Sequence, residues 1–203
     1  MEHQRKDNEF ITTYRALIKR DGADKLLDYL IEKSDFFTAP ASSKFHCDYE
    51  GGLCEHSLNV YHRLVSLLTA EYGEGWREVY SPETVAIVGL LHDVCKINYY
   101  EVDYRNVKNK DTGAWDKVPY YRVEDKLPYG HGEKSVYIIG GFMRLTREEA
   151  MAINWHMGGF DDRVRGGSYT VGIAFQEYPL AVMTHTADFL ATYLDEKKDD
   201  DNV

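Results

Sequence analysis

Hydrophobic residues recur at helical intervals through most of the chain. Between residues 8 and 33, Phe10, Ile11, Leu17, Ile18, Leu26, Leu27, Leu30 and Ile31 are spaced to share a helix face. Asp21-Gly22 interrupts the run, so two consecutive helices are predicted there. Residues 36–52 contain Pro40, small side chains and the Gly51-Gly52 pair, the composition of a loop that feeds a helix starting near Leu53. On that helix Val60, Leu64 and Leu67 follow His56 at offsets of four, eight and eleven. The imidazole is therefore expected on the inward face, among the apolar stripe.

A further helix is predicted from Ser81-Pro82-Glu83, where Ser caps, Pro suits the first helical position and Glu favours the positive end of the dipole. It runs apolar from Val85 to Leu91 and ends in His92-Asp93. Two polar side chains at the end of so apolar a helix need partners, because burying them alone is costly. Over residues 97–130 the period changes: YYEVDYRNV and WDKVPYYRV alternate on either side of NKDTGA, predicting a β-hairpin inserted between helices. Helices are expected again over 133–145 and, opened by a Thr146/Glu149 capping box, up to His156 before Gly158-Gly159. A Gly-rich loop carrying Arg163 and Arg165 then leads to a last helix, about 179–194, that contains Asp188. Residues 195–203, DEKKDDDNV, offer so little apolar surface that a disordered acidic tail is expected. The reading is a single all-α domain over 1–194 with a small hairpin insertion.

Composition narrows the function. With 203 residues, 43% of them hydrophobic, the chain suits one domain with a full-sized core. A formal charge of −10 opposes broad attraction to phosphate backbones or anionic membranes, so an anionic substrate must be drawn locally, by metal or by a few placed Lys and Arg. Cys47, Cys54 and Cys95 are too few and odd in number for a disulfide framework, which points to free thiols and a cytoplasmic setting. No signal-peptide-like stretch opens the sequence and no apolar run approaches the ~20 residues of a membrane span.

Hydrolysing a phosphate ester near neutral pH requires charge neutralisation at the phosphoryl oxygens and a hydroxide-like nucleophile, and a divalent ion held by imidazole and carboxylate supplies both. His56, His92, Asp93 and Asp188 are the candidate ligands. Adjacent helical residues diverge by about 100°, so His92 and Asp93 share one ion only where it sits at the helix end or between them. An ion viewed by several helices in a bundle core meets that condition.

At these positions the chain resembles the HD-domain superfamily of metal-dependent phosphohydrolases, whose signature is a His, a His-Asp doublet and a distant Asp. The stretches that carry the likeness are GGLCEHSLNVYHRL around His56, VGLLHDVCKI around His92 and Asp93, and THTADFLATYL around Asp188, within residues 45–194. The resemblance implies an HD-domain-like helical bundle, and His56, His92, Asp93 and Asp188 as ligands of a divalent Mn, Fe, Ni, Zn or Mg ion. GHGEKS around His131 and NWHMGG around His156 are similar to the extra histidines of binuclear members, implying a second ion bridged by Asp93. Some members carry a second adjacent His where this chain has Met157, a poor ligand for hard ions, which leaves one ion or two open. Lys96 resembles the lysine that often follows the doublet; phosphate contact or orientation of Asp93 is its expected role, with Asp93 and Lys96 the catalytic pair. His46 is expected to line the substrate pocket, and Arg163 and Arg165 to reach phosphates from their loop.

The expected activity is therefore cleavage of a phosphomonoester or phosphodiester, of a nucleotide or another small phosphoester. Bacterial exoribonucleases with an HD domain contain a GGLLEH-like stretch similar to GGLCEH here, so a 3′→5′ exonuclease on single-stranded RNA or DNA is the alternative enzyme. The absence of a basic groove or separate nucleic-acid module in the sequence weighs against it. A non-catalytic nucleotide sensor is the rival from another class, since fold does not dictate function. Tyr99, Tyr100, Tyr104, Tyr120, Tyr121 and Trp115 suit either base stacking or packing of the hairpin. Cys54 and Cys95 flank the motifs but are not counted as ligands; His185, three residues before Asp188, is placed near the pocket without a role, and His3 and His62 receive none. No membrane partner is expected, and a homo-oligomer is compatible with the sequence.

Overall fold

The computed structural model describes residues 2–110 and 112–197. Helices α1 (Glu2–Leu17) and α2 (Ala23–Glu32) form where the first apolar run predicts them. The break between them depends on Gly22, whose φ of 88° lies in the left-handed region, and any Cβ there would fall 1.9 Å from the Phe142 carbonyl oxygen. Helix α3 (Gly52–Tyr72) is central and lies against α1, α5 (Pro82–Leu91) and α10 (Pro179–Leu190). Its stripe of Leu53, Val60, Leu64 and Leu68 is buried, and His56 belongs to that face. The short helix α4 (Trp76–Val79) links α3 to α5.

Helix α5 is buried on all sides from Val85 to Leu91. Ser81 caps it by accepting from the Thr84 amide, and Pro82 occupies its first turn, as its sequence predicts. Gly89 lets α5 approach α3 closely: a Cβ there would come within 2.7 Å of the Tyr61 Cα. That contact sets His92 beside His56.

Strands β1 (Tyr100–Lys108) and β2 (Trp115–Val123) pair antiparallel, from Tyr100 opposite Val123 to Lys108 opposite Trp115. The chain is thus mostly helical with one inserted two-stranded hairpin. Helices α6 (His131–Gly140), α7 (Arg147–Asn154), α8 (Asp162–Arg165) and α9 (Thr170–Glu177) follow before α10, whose last turn widens into a π turn at Ala191–Asp195. Among the described residues no helix is long and apolar enough to cross a membrane.

Several boundaries differ from those the sequence predicts, each for a local reason. Helix α6 starts at His131, not near residue 133, because the Glu133 carboxylate reaches back to the Gly130 amide at 3.1 Å and closes the first turn. Helix α7 ends at Asn154, so His156 stands beyond it. Helix α9 lies in what reads as a loop: Val171, Ala174 and Phe175 do stand at helical spacing, but the element is only eight residues long, Ala174 alone of them is fully buried and Ile173 is exposed, so the stripe is too short to stand out from its Gly-rich surroundings. The expected tail starts too early. Asp195 pairs with Arg63 and Glu196 is buried, because partners inside the fold replace the solvent that its composition implies; residues 198–203 lie outside the described residues.

The capping box of α7 also ties the layers together. Glu149 is buried, and its carboxylate accepts from the Thr146 amide at 2.8 Å, from Arg20 at 2.5 and 2.9 Å and from the Thr84 hydroxyl at 2.9 Å. Burial pushes its carboxyl up, but the Arg20 guanidinium and these donors outweigh that and hold it below the usual range. A carboxyl depressed in the folded state contributes stability that is present above its unfolded pKa and lost as pH falls toward the folded value. Glu149→Gln is therefore expected to lower the midpoint of urea unfolding at neutral pH and to flatten the fall in stability below about pH 4.5, the ordinary value. Unfolding curves from pH 7 to pH 3 check this.

Candidate metal centre

Helix α5 stops at Leu91, and the backbone leaves the helical path at Asp93, where φ is −108° and ψ 16°. The departure lets two adjacent side chains serve one site. His92 and Asp93 meet His56 from α3 and Asp188 from α10: His56 Nε2 is 3.3 Å from His92 Nε2, 3.5 Å from Asp93 Oδ2 and 3.4 Å from Asp188 Oδ1. The other oxygen of Asp93 faces a second pair of imidazoles. His131 Nε2, at the start of α6, is 2.8 Å from Asp93 Oδ1, and His156 Nε2 is 3.5 Å from it. His56, His92, Asp93 and His156 are all buried.

Three of these rings are oriented from behind. His92 Nδ1 donates to the Gly89 carbonyl at 2.9 Å, His156 Nδ1 to the Ile153 carbonyl at 2.7 Å, and His56 Nδ1 to Glu196 at 3.0 and 3.1 Å. Donation through Nδ1 leaves the Nε2 lone pairs directed into the cluster. Two Nε2 atoms 3.3 Å apart need a proton or a metal ion between them, and His156 Nε2, fully buried, has no hydrogen-bond partner among the described residues. The groups His56/His92/Asp188, His92/Asp93/His156 and Asp93/Cys95/His131 each bring ligand atoms within 4.8 Å of one another, so the cluster is able to hold a metal ion.

Charge agrees with geometry. Burial would raise Asp93, yet Lys96 and the imidazoles of His131 and His156 hold it well below the carboxylate range; His56 does the same for Asp188 against its own burial. Burial drives His92 down to about 3, so it is a neutral donor. Burial would also lower His56, but the carboxylates of Glu196 and Asp188 overcome it and raise the imidazole to about 10. In a centre this rich in buried carboxylate, that proton does part of what a cation would do, and metal binding would release it.

A cavity of about 880 Å³ opens over Asp93, His131 and Asp188. Lys96 lies in its wall with Nζ 2.5 Å from Asp93 Oδ2. His46 also lines the cavity, its ring centroid 4.8 Å from that of His56; its Nε2 is buried without a hydrogen-bond partner among the described residues, and burial pushes it down to about 4. Arg165 stands exposed at the mouth, 5.9 Å from the Phe160 ring. Arg163 reaches the same wall but is internally engaged: its five N–H groups go to Asp161, Glu133 and Asn154, and it stacks on Trp155 at 3.9 Å. With every donor used it braces the 154–163 segment, and a phosphate contact would require breaking those bonds. Of the hairpin aromatics, Tyr99 and Tyr100 line the cavity, Tyr120 and Tyr121 border a separate one, and Tyr104 and Trp115 are exposed.

Three participants are not foreseen from the sequence. Glu196 falls in the expected tail. Cys95 Sγ lies 3.5 Å from His131 Nε2 and 3.8 Å from Asp93 Oδ1, while burial pushes the thiol up and keeps it neutral. His185 Nδ1 donates to the His156 carbonyl at 2.7 Å and so steadies the segment that presents that ring. Cys95, two residues past the doublet, and His185, three residues before Asp188, each have a signal in the sequence; Glu196 has none. Comparison with family models, with curated proteins and with solved structures finds no match, and the functional reading rests on this chain's own residues.

Removing the Arg163 side chain leaves Asp161, which is only 4% exposed, with the Arg163 backbone amide on Oδ1 but no hydrogen-bond partner for Oδ2 among the described residues. Arg163→Ala is expected to destabilise the fold by about 1–3 kcal/mol, the cost of a buried acceptor left unpaired, as read by chemical denaturation.

Proposed function

We propose that the chain is a metal-dependent phosphohydrolase with an HD-like helical bundle, cleaving a phosphomonoester or phosphodiester of a nucleotide-sized substrate. The observation that carries the reading is Asp93, whose two oxygens face separate imidazole groups at the floor of one cavity. Neutral imidazole with carboxylate suits Mn, Fe, Ni, Zn or Mg, and the opposed Nε2 atoms together with the unpartnered His156 Nε2 fit a cation. His56, His92, Asp93 and Asp188 would hold one ion, and Asp93, His131 and His156 a second. When bound, such ions neutralise phosphoryl charge and make water a nucleophile near neutral pH.

The remaining work falls to the protein. Lys96 keeps Asp93 ionised and offers an ammonium toward the cavity, where it can meet a phosphate oxygen. Arg165 adds charge at the mouth. These local cations draw an anion to a chain whose net charge is −10. Tyr99, Tyr100, Phe189 and Tyr193 supply flat faces along the wall, suited to a base or another planar group.

With added Mn²⁺, the purified protein is expected to release phosphate or nucleoside from at least one member of a phosphoester panel that also includes single-stranded oligonucleotides. Asp93→Ala should lose bound metal by elemental analysis and lose activity by more than the roughly 10–100-fold that an outer partner costs, while its far-ultraviolet circular dichroism stays helical. His156→Ala should lose only part of the metal if two ions bind. Full activity in metal-depleted Asp93→Ala protein would overturn the reading.

A further inference from the structure

The imidazole of His56 is gripped from both sides by one continuous segment. On its Nε2 side stands Asp188 Oδ1 at 3.4 Å; on its Nδ1 side stands the Glu196 carboxylate at 3.0 and 3.1 Å. Both carboxylates belong to α10 and its π extension. An α-helix advances 100° per residue, so eight residues overshoot two turns by about 80° and would swing residue 196 away from the face of Asp188. The π turn, closed by the Glu196 amide on the Ala191 carbonyl at 3.1 Å, rotates the chain less per residue and returns Glu196 toward that face.

The facing surface of α3 is built to receive it. His56, Asn59 and Arg63 follow one another at helical spacing, and all three contact the segment: His56 and Asn59 bind Glu196, the latter at 2.9 Å, and Arg63 Nε binds Asp195 at 2.7 Å. The Arg63–Asp195 pair is partly exposed and adds little stability. Glu196 is another matter, since its side chain is only 1% exposed and a carboxylate so buried needs compensation, which His56 and Asn59 provide.

We infer that Glu196 is a positioning residue of the metal centre, fixing the tautomer and angle of His56 so that Nε2 faces the ion, and that metal occupancy and ordering of the 191–197 turn are thereby coupled. The inference rests on the proposed metal centre. Because coupling free energy is reciprocal, a contact that improves metal binding must itself be strengthened by the metal.

Calorimetric titration with Mn²⁺ and amide hydrogen exchange test this on the full chain. Wild-type protein is expected to bind Mn²⁺, and Glu196→Ala to bind about 10–100-fold more weakly with an unchanged helical spectrum. Glu196→Gln, whose amide oxygen still accepts from Nδ1, should recover part of the loss. In the wild type, Mn²⁺ should slow exchange of peptides covering 191–197, and in Glu196→Ala it should not. Equal Mn²⁺ affinity in wild type and Glu196→Ala, or no change in exchange at 191–197 on adding Mn²⁺ to a protein that binds it, overturns the inference alone. A wild-type chain that binds no Mn²⁺ in the titration overturns the manganese centre and this inference with it.

Discussion

A carboxylate at the bottom of a cavity, almost wholly removed from water, is the constraint around which the rest is arranged. Asp93 is 2% exposed and stays ionised because Lys96 and two imidazoles surround it. Isolated, such a charge would protonate or unfold its surroundings. Compensated from several directions, it becomes the point where α3, the end of α5, the start of α6, the turn after α7 and α10 converge. Those elements contribute one or two polar groups each and otherwise bury apolar stripes, so the polar centre sits inside a conventional hydrophobic core.

The stiffness of that centre comes from its backing. Nδ1 of His92 and of His156 each binds a carbonyl three residues earlier, a local bond that the helix end makes available. His56, inside α3, has no free carbonyl of its own within reach, because its helix uses them; its Nδ1 turns to a side chain from the far end of the fold. The difference explains why two of the rings are held by their own segments and the third by a distant one.

Above the floor the cavity changes character. Lys96 and Arg165 stand there with Asp125 and Asp162, a wall of mixed charge, and tyrosines and phenylalanines supply flat apolar faces. The hairpin contributes through its base, with Tyr99 and Tyr100, more than through its exposed tip.

Taken by itself, the sequence determined the mostly helical architecture, the hairpin and the places where His56, His92, Asp93 and Asp188 had to look inward, because each stands in or at the end of an apolar helical stripe whose period is local. The caps at Ser81 and Thr146 were legible for the same reason: a cap is satisfied within three residues of itself. The tertiary structure alone decided what depends on distant partners. Helix α9 has an apolar stripe too short to announce it, Arg163 looks like a phosphate ligand until Asp161, Glu133 and Asn154 consume its donors, and Glu196 looks like tail until a π turn lays it on an imidazole 140 residues away. Charge in a sequence reads as solvent-facing because water is its cheapest partner, and only the folded chain reveals where a side chain has taken water's place.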